Sequence, residues 1–446
     1  MEKVSSLKKI RDFCLKYNKI IFVAIITGLL FFANLFSPLW IVATVLTLAF
    51  YVFLNVGEIV AFCMYFNMFS GIETFYIASL LCGLAVIIAK YVIDLARKKT
   101  KVYVLPLTLT FLYIVTFSLI NYGYDSNGAL QGALIISLLI VSYLLFVYRK
   151  QINVDECFKA LMLGVVVSTV LALLSMAIPN FAHKIYHFDG TYKRLKLLCL
   201  HQNHLAIICL FVMSYYVYKL VNKKGKTWAN ILFIVVLLAL GLFTLSKAFI
   251  VVAAVIVLYA FISSIAIYKK KSLKIVIPCF IIMIAACFIA KDLVLKIIDR
   301  FVAYNKSSSF MSQITTGRSG IWYRYFNEIS SSVQKLLFGV GLFSKELVKI
   351  GPHNVLVYFL YRSGLIGIIL LAMIIWSYLR AYNGKLAISL KNCLPVIVFI
   401  VIAMEEMIFS DRFYFFMVFA IMLIFKEKEE TPDDGEIKEQ TEIKNE

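Results

Sequence analysis

The sequence predicts an all-α, polytopic membrane protein, and three observations predict it. Of 446 residues, 62% are apolar and only 16% charged, whereas a water-soluble domain carries about 25% charged residues. So little polar surface cannot cover the roughly three soluble cores that this length would otherwise suggest. Apolar runs of about 20 residues, enough to cross a bilayer core, recur along nearly the whole chain, separated by short basic loops.

The elements follow in order. A basic start, 1–19, precedes an apolar run at 20–36; with no A-x-A cleavage site after it, the run reads as an uncleaved signal anchor. Further spans are predicted at 38–54, 75–93, 103–120, 130–148, 158–178, 204–221, 228–245, 247–268, 274–292, 354–379 and 409–425. Weaker runs lie at 57–72, which contains Glu58 and Asn67, and at 390–407. The expected total is about 12–14 transmembrane helices. The chain thus divides into a basic N-terminus (1–19), N-terminal helices (20–178) and a first loop (179–203). Central helices (204–292), a large loop (293–353), C-terminal helices (354–425) and a tail (426–446) follow.

Charge fixes the expected orientation. Lys/Arg clusters fall at 3–19, 97–101, 149–150, 219–226, 269–274 and 380–385. The positive-inside rule puts them all in the cytoplasm, with both termini, if 57–72 crosses the membrane. The loops 179–203 and 293–353 then face outward. The tail holds nine acids against four lysines and reads as solvated and disordered; the rest carries 41 bases against 16 acids. Because these bases sit between apolar runs, nucleic acid is not the expected partner. The bilayer is, together with an anionic ligand. The nine cysteines, mostly within apolar runs and without a C-x-x-C pair, indicate neither a disulfide framework nor a zinc site.

All five histidines lie in the outward loops or at their edges: His183, His187, His201, His204 and His353. Each one alone reads as an interface histidine. Neither His183/His187 nor His201/His204 carries a carboxylate in the H-E-x-x-H manner, so no metal and no other cofactor is expected. The outward loops also hold Lys184, Lys193, Arg194, Lys196, Arg318 and Arg324. Long loops cross regardless of charge, but guanidinium groups there also suit a membrane-anchored phosphate compound. Lys247, where two apolar runs meet, either snorkels to the interface or lines a polar cavity.

Four patterns stand in one order. They are Arg194-Leu195…Asn203…Leu205-Ala206, then Thr244-Leu-Ser246-Lys247-Ala248, then Thr316-Gly-Arg318-Ser-Gly-Ile321-Trp322 with Phe338-Gly339-Val-Gly341, and last His353-Asn354 with Gly364-Leu-Ile-Gly367. Over about residues 190–370 this resembles the bacterial O-antigen ligase and polysaccharide polymerase family of membrane glycosyltransferases. Departures are local. Where the family has a glycine and Asn-Pro-Asn, this chain has Leu197 and His201-Gln202-Asn203; where it has Ser-Arg, this chain has Ser246-Lys247.

The resemblance implies inverting, metal-independent glycosyl transfer on the outer face of the cytoplasmic membrane. The implied donor is a glycan on undecaprenyl diphosphate, and the implied acceptor a sugar hydroxyl. Arg194 and Arg318 would stabilise the leaving diphosphate. His353 would take the hydroxyl proton or orient its attack. Lys247, Asn203, Asn354 and Arg324 complete the expected substrate-binding set. Gly339, Gly341, Gly364 and Gly367 would serve turns and close packing. A polymerase of repeat units in capsule, exopolysaccharide or O-antigen synthesis is the first reading, with a flippase and a chain-length regulator as pathway partners. A ligase moving finished glycans is the second. A flippase itself is the third, but no inverted repeat or paired broken helices mark the sequence as a transporter.

Overall fold

In a computed structural model the described residues are 2–124, 126–178, 181–189, 192–268, 295, 318–346, 348, 351–381, 385–386, 390–405 and 425–426. The expected spans 274–292 and 409–425, the acidic tail and most of the first part of the large loop lie outside them. The protein is mostly helical. Among the described residues five helices are long and apolar enough to cross a membrane, and seven shorter apolar helices accompany them.

The helices track the hydropathy. They are α1 (Glu2–Ala33), α2 (Leu39–Phe53), α3 (Val56–Phe66), α4 (Glu73–Ala96), α5 (Val104–Ser118), α6 (Ser126–Val147) and α7 (Val154–Ser175). After a single turn, α8 (Ala182–Ile185), come α9 (Gln202–Val221), α10 (Thr227–Phe243) and α11 (Lys247–Tyr268). Beyond 317 stand α12 (Arg318–Ser330), α13 (Val333–Phe338), α14 (Val355–Ala381) and α15 (Leu390–Glu405). The basic start does not precede the first helix; it is continuous with α1. The weak run at 57–72 resolves into α3 and a 3-10 turn, Asn67–Phe69. Glu58 closes a capping box with Asn55 and pairs with Lys19, so it sits at a helix start, where a carboxylate complements the dipole.

The few strands among the described residues are two short antiparallel pairs, Lys385–Leu386 with Phe425–Lys426 and a hairpin before α9. Tyr186–Asp189 (β1) and Tyr192–Leu195 (β2) form an antiparallel hairpin, with His187 opposite Arg194. An Asp-Gly pair between short aromatic-rich stretches is a hairpin signal, but four-residue strands are overshadowed by neighbouring 20-residue helices.

Helix α9 lies at the centre, 89% of its span enclosed, packed against α7, α10, α11 and α15. Alternating helix directions give the bundle two ends. The basic turns at 97–101, 149–150 and 219–226 share one end, where Lys219 pairs with Asp155 and Arg149 donates to Tyr103. The hairpin, the start of α9, the α10–α11 turn and the chain before α14 share the other.

A strap at 339–346 is wedged into that second end. Helix α14 breaks at Gly364 (φ +62°), and the carbonyls of Tyr361 and Arg362 accept from the amides of Val340 and Gly341, each at 2.9 Å. Gly339 (φ +71°) approaches so closely that a Cβ there would stand 2.5 Å from the backbone of Arg362 and Ser363. Gly128 and Gly132 of α6 admit the other side of the strap. The glycine pairs of the sequence are therefore packing devices on both partners.

Candidate functional site

Two groups of polar residues form at this second end. The first is built on β2. Alternation along the hairpin puts Arg194 on the same face as His187. The Arg194 side chain is buried (5% exposed), and its Nε donates to the Thr244 carbonyl at 2.9 Å. Its Nη2 donates to Asn203 Oδ1 at 3.2 Å. One guanidinium thus joins the hairpin, the first turn of α9 and the α10–α11 turn.

The α10–α11 turn has its own local logic. Thr244 caps back onto Gly241, the Ser246 amide donates to the Thr244 hydroxyl, and the Ser246 hydroxyl accepts from Phe249 at the start of α11. Lys247 is the first residue of α11 and is half-buried. Leu197, where the resembled family has glycine, takes φ +51°, the left-handed region that glycine enters most readily.

Beside Asn203, the partner of Arg194, lies a narrow groove between α9, α11 and α15. Asn203 and Ser246 are its polar lining, while Ile207, Leu210, Phe249, Val252 and Ile402 form apolar walls. From Asn203 to Leu210 the groove follows about 10 Å of helix, at about 1.5 Å per residue.

The second group is built on α12. Its inward face carries Arg318, Trp322, Tyr325 and Ile329, spaced three and four apart. Tyr325 is fully enclosed against Tyr361, and burial pushes its hydroxyl pKa up. Trp322 Nε1 donates to the Pro352 carbonyl at 2.7 Å, which seats α12 on the corner before α14. His353 follows directly, half-buried, with φ +47°. Asn354 is buried and caps α14, its Oδ1 accepting from the Val357 amide at 3.1 Å. Arg318 therefore sits one turn from the contact that holds the His353 corner. Arg324 is exposed, away from the inward face of α12.

The structure thus gathers Arg194, Asn203 and the turn preceding Lys247, and separately Arg318, His353 and Asn354. Both groups are at one end of the bundle. Among the described residues no set of three or more His, Cys, Asp or Glu side chains is arranged to hold a metal ion.

Sequence reasoning missed Arg362. It is fully buried in α14, with Nη1 donating to the Ser344 carbonyl at 2.5 Å and Nη2 to Glu346 Oε1 at 3.3 Å. Its Nε meets the Tyr358 hydroxyl, and its plane lies over the rings of Tyr358 and Tyr361. A charge inside an apolar run was the available signal. Lys196, which follows the hairpin, has its ammonium pKa pulled below the usual range by burial and by the charge of Lys184.

No family model, no curated protein and no solved structure matches this chain.

Proposed function

We propose that the chain is a membrane glycosyltransferase that joins lipid-diphosphate-linked oligosaccharide units into a polysaccharide. The observation that carries the reading is the buried guanidinium of Arg194 bonded to Asn203, a polar residue lining an otherwise mostly apolar groove. An amphiphile with a phosphate head and an isoprenoid tail has that distribution of chemistry: charge at one end, hydrocarbon along the rest. Undecaprenyl diphosphate is such a carrier, and the four motifs resemble the enzymes that use it.

Each residue then has a task. Arg194, oriented by the Thr244 carbonyl and Asn203, holds diphosphate oxygens and takes up charge as the C1–O bond breaks. Arg318 adds a second guanidinium, and Lys247 a point charge. His353, fixed between Pro352 and the cap residue Asn354, accepts the proton of the attacking sugar hydroxyl. The acceptor approaches opposite the leaving diphosphate, so the anomeric configuration inverts. Arg324, exposed on α12, contacts the glycan away from the reacting carbon.

The working location is the cytoplasmic membrane, with both termini in the cytoplasm and the site on the outer face. The basic turns gathered at the opposite end of the bundle support that orientation. Protein in lipid nanodiscs, supplied with undecaprenyl-diphosphate-linked repeat units, tests the reading. A ladder of products lost in Arg194→Ala and Arg318→Ala is expected. Single-step transfer to a different glycolipid acceptor would assign a ligase instead, and an equal ladder from both variants would overturn the site.

A further inference from the structure

We propose that α12 and α13 form a ledge seated in the membrane surface, with Tyr323 and Phe326 of α12 and Val333, Leu336 and Leu337 of α13 in contact with lipid at the boundary of headgroups and acyl chains. The proposal rests on the chain spanning a bilayer and not on the sugar chemistry. Its starting point is the periodicity of α12, which has three sides. Tyr325 and Ile329 are buried against the protein, and Trp322, one turn from Tyr325, bonds to Pro352 on the same side. Arg324 and Asn327, three apart, are exposed on the far side. Between these two sides lie Tyr323, 67% exposed, and Phe326, also exposed and one turn on. A helix resting on a protein in water needs a packed side and a polar side. One that also touches a bilayer needs an aromatic or aliphatic side between them, the place where interfacial tyrosines gather.

Helix α13 repeats the arrangement after a two-residue turn. Its one charge, Lys335, faces inward, paired with Glu328 and lying over the Tyr122 ring. Phe338 packs on the core. Val333, 73% exposed, stands with Leu336 and Leu337 at positions i, i+3 and i+4, so three exposed aliphatic side chains share one stripe. Continuity says what covers that stripe. Leu337 meets α14 at the break, where a Cβ on Gly364 would stand 2.4 Å from the Leu337 carbonyl. The next residue, Leu365, is exposed, and with Ile369 and Met373 at four-residue spacing it draws an apolar line along α14. That helix is among those long and apolar enough to cross a membrane. The stripe of α13 thus extends a surface that lipid already covers. It also has a consequence for the site: the Trp322 bond ties the seated helix to the His353 corner, so the bilayer sets the height of that corner relative to the headgroups.

Spin labels test the seat without reference to activity. Val333→Cys, Leu336→Cys, Asn327→Cys and Ile369→Cys, each in a chain lacking its native cysteines, carry a nitroxide in phospholipid nanodiscs, with melting followed in parallel. Collisions with oxygen, which partitions into lipid, are compared with collisions with a water-soluble nickel chelate. The oxygen-to-nickel ratio at Val333 and Leu336 is expected to approach that at Ile369 and to exceed that at Asn327 several-fold. A ratio at both positions equal to that at Asn327 would put the stripe in water and overturn the proposal. Exclusion of both reagents would overturn it as well, by assigning the stripe to a protein contact. Should the cysteine-free chain fail to fold, a benzophenone amino acid at 333, 336 or 369 in the native chain reads the same surface. Phospholipid adducts at 333 and 336 would support the ledge. Protein adducts there, or none where position 369 yields them, would overturn it.

Discussion

Arg194 and Arg362 are both buried, and the oxygens that hold them differ. Arg362 meets a carboxylate, Glu346, along with the Ser344 carbonyl and the Tyr358 hydroxyl. Arg194 meets a carbonyl and a carboxamide, Thr244 and Asn203. A carboxylate cancels the charge that it orients. Neutral oxygens orient a guanidinium without cancelling its charge. Burial of an arginine is therefore not in itself a sign of function; the chemistry of its partners is. By that criterion Arg362 is a pin that fastens the strap to α14, and Arg194 is an arm of the proposed site.

The comparison breaks most visibly at Arg362. Removing one member of a buried ion pair costs about 3–5 kcal/mol, because the other is left uncompensated. Arg362→Ala should therefore lower the melting temperature and the yield of folded protein sharply, while the paired change Glu346→Gln with Arg362→Met recovers much of both. Full stability in Arg362→Ala would cancel its role as a pin.

Arg194→Lys sharpens the other side. The fork that spans Thr244 and Asn203 is lost while the charge stays, so product formation should fall by about tenfold or more for one charge-assisted contact. Melting should change less than in Arg362→Ala. The reverse order of the two melting shifts would mean that the two arginines had been assigned the wrong way round.

Trp322→Phe is a smaller perturbation. It deletes the bond to the Pro352 carbonyl, worth about 1 kcal/mol, and leaves the apolar packing of α12. Turnover per folded molecule should drop severalfold as the His353 corner loosens, with donor binding retained. Turnover unchanged from wild type would free His353 from dependence on α12.

The smallest effect is expected at Lys196. Its pKa is lowered in the folded protein, so between that lowered value and the ordinary lysine value the unfolded chain binds more protons. Stability should accordingly rise with pH through that window. Lys196→Met should remove the slope and raise the melting temperature slightly at neutral pH. A steeper slope in the variant would reverse the sign argued here.

Much of the frame was legible in the sequence, and the reasons are particular. Spans such as 38–54, 228–245 and 354–379 meet α2, α10 and α14 within two or three residues, because lipid demands a continuous apolar run and the loops between are short and charged. The resemblance selected Arg194, Asn203 and the Thr244–Lys247 turn from three separate stretches, and the fold brings Arg194, Asn203 and Thr244 into contact. The strap could not be read. Its residues 339–346 have no periodicity, and its partners Phe117, Gly128 and Arg362 come from three distant helices. The hairpin escaped for a related reason: its pairing is local, but its strands are short.

The break at Gly364 has a consequence for biogenesis. A helix that enters the bilayer must satisfy its own backbone, and α14 arrives with two carbonyls, those of Tyr361 and Arg362, turned to amides outside itself. The donors, Val340 and Gly341, lie only about twenty positions earlier, so they emerge from the ribosome just ahead of the helix that needs them. Strap and α14 thus form a single unit of insertion, with the two carbonyls of the break paired before it meets the rest of the protein. The contacts with α5 and α6, more than two hundred residues upstream, then become a docking step between preformed parts.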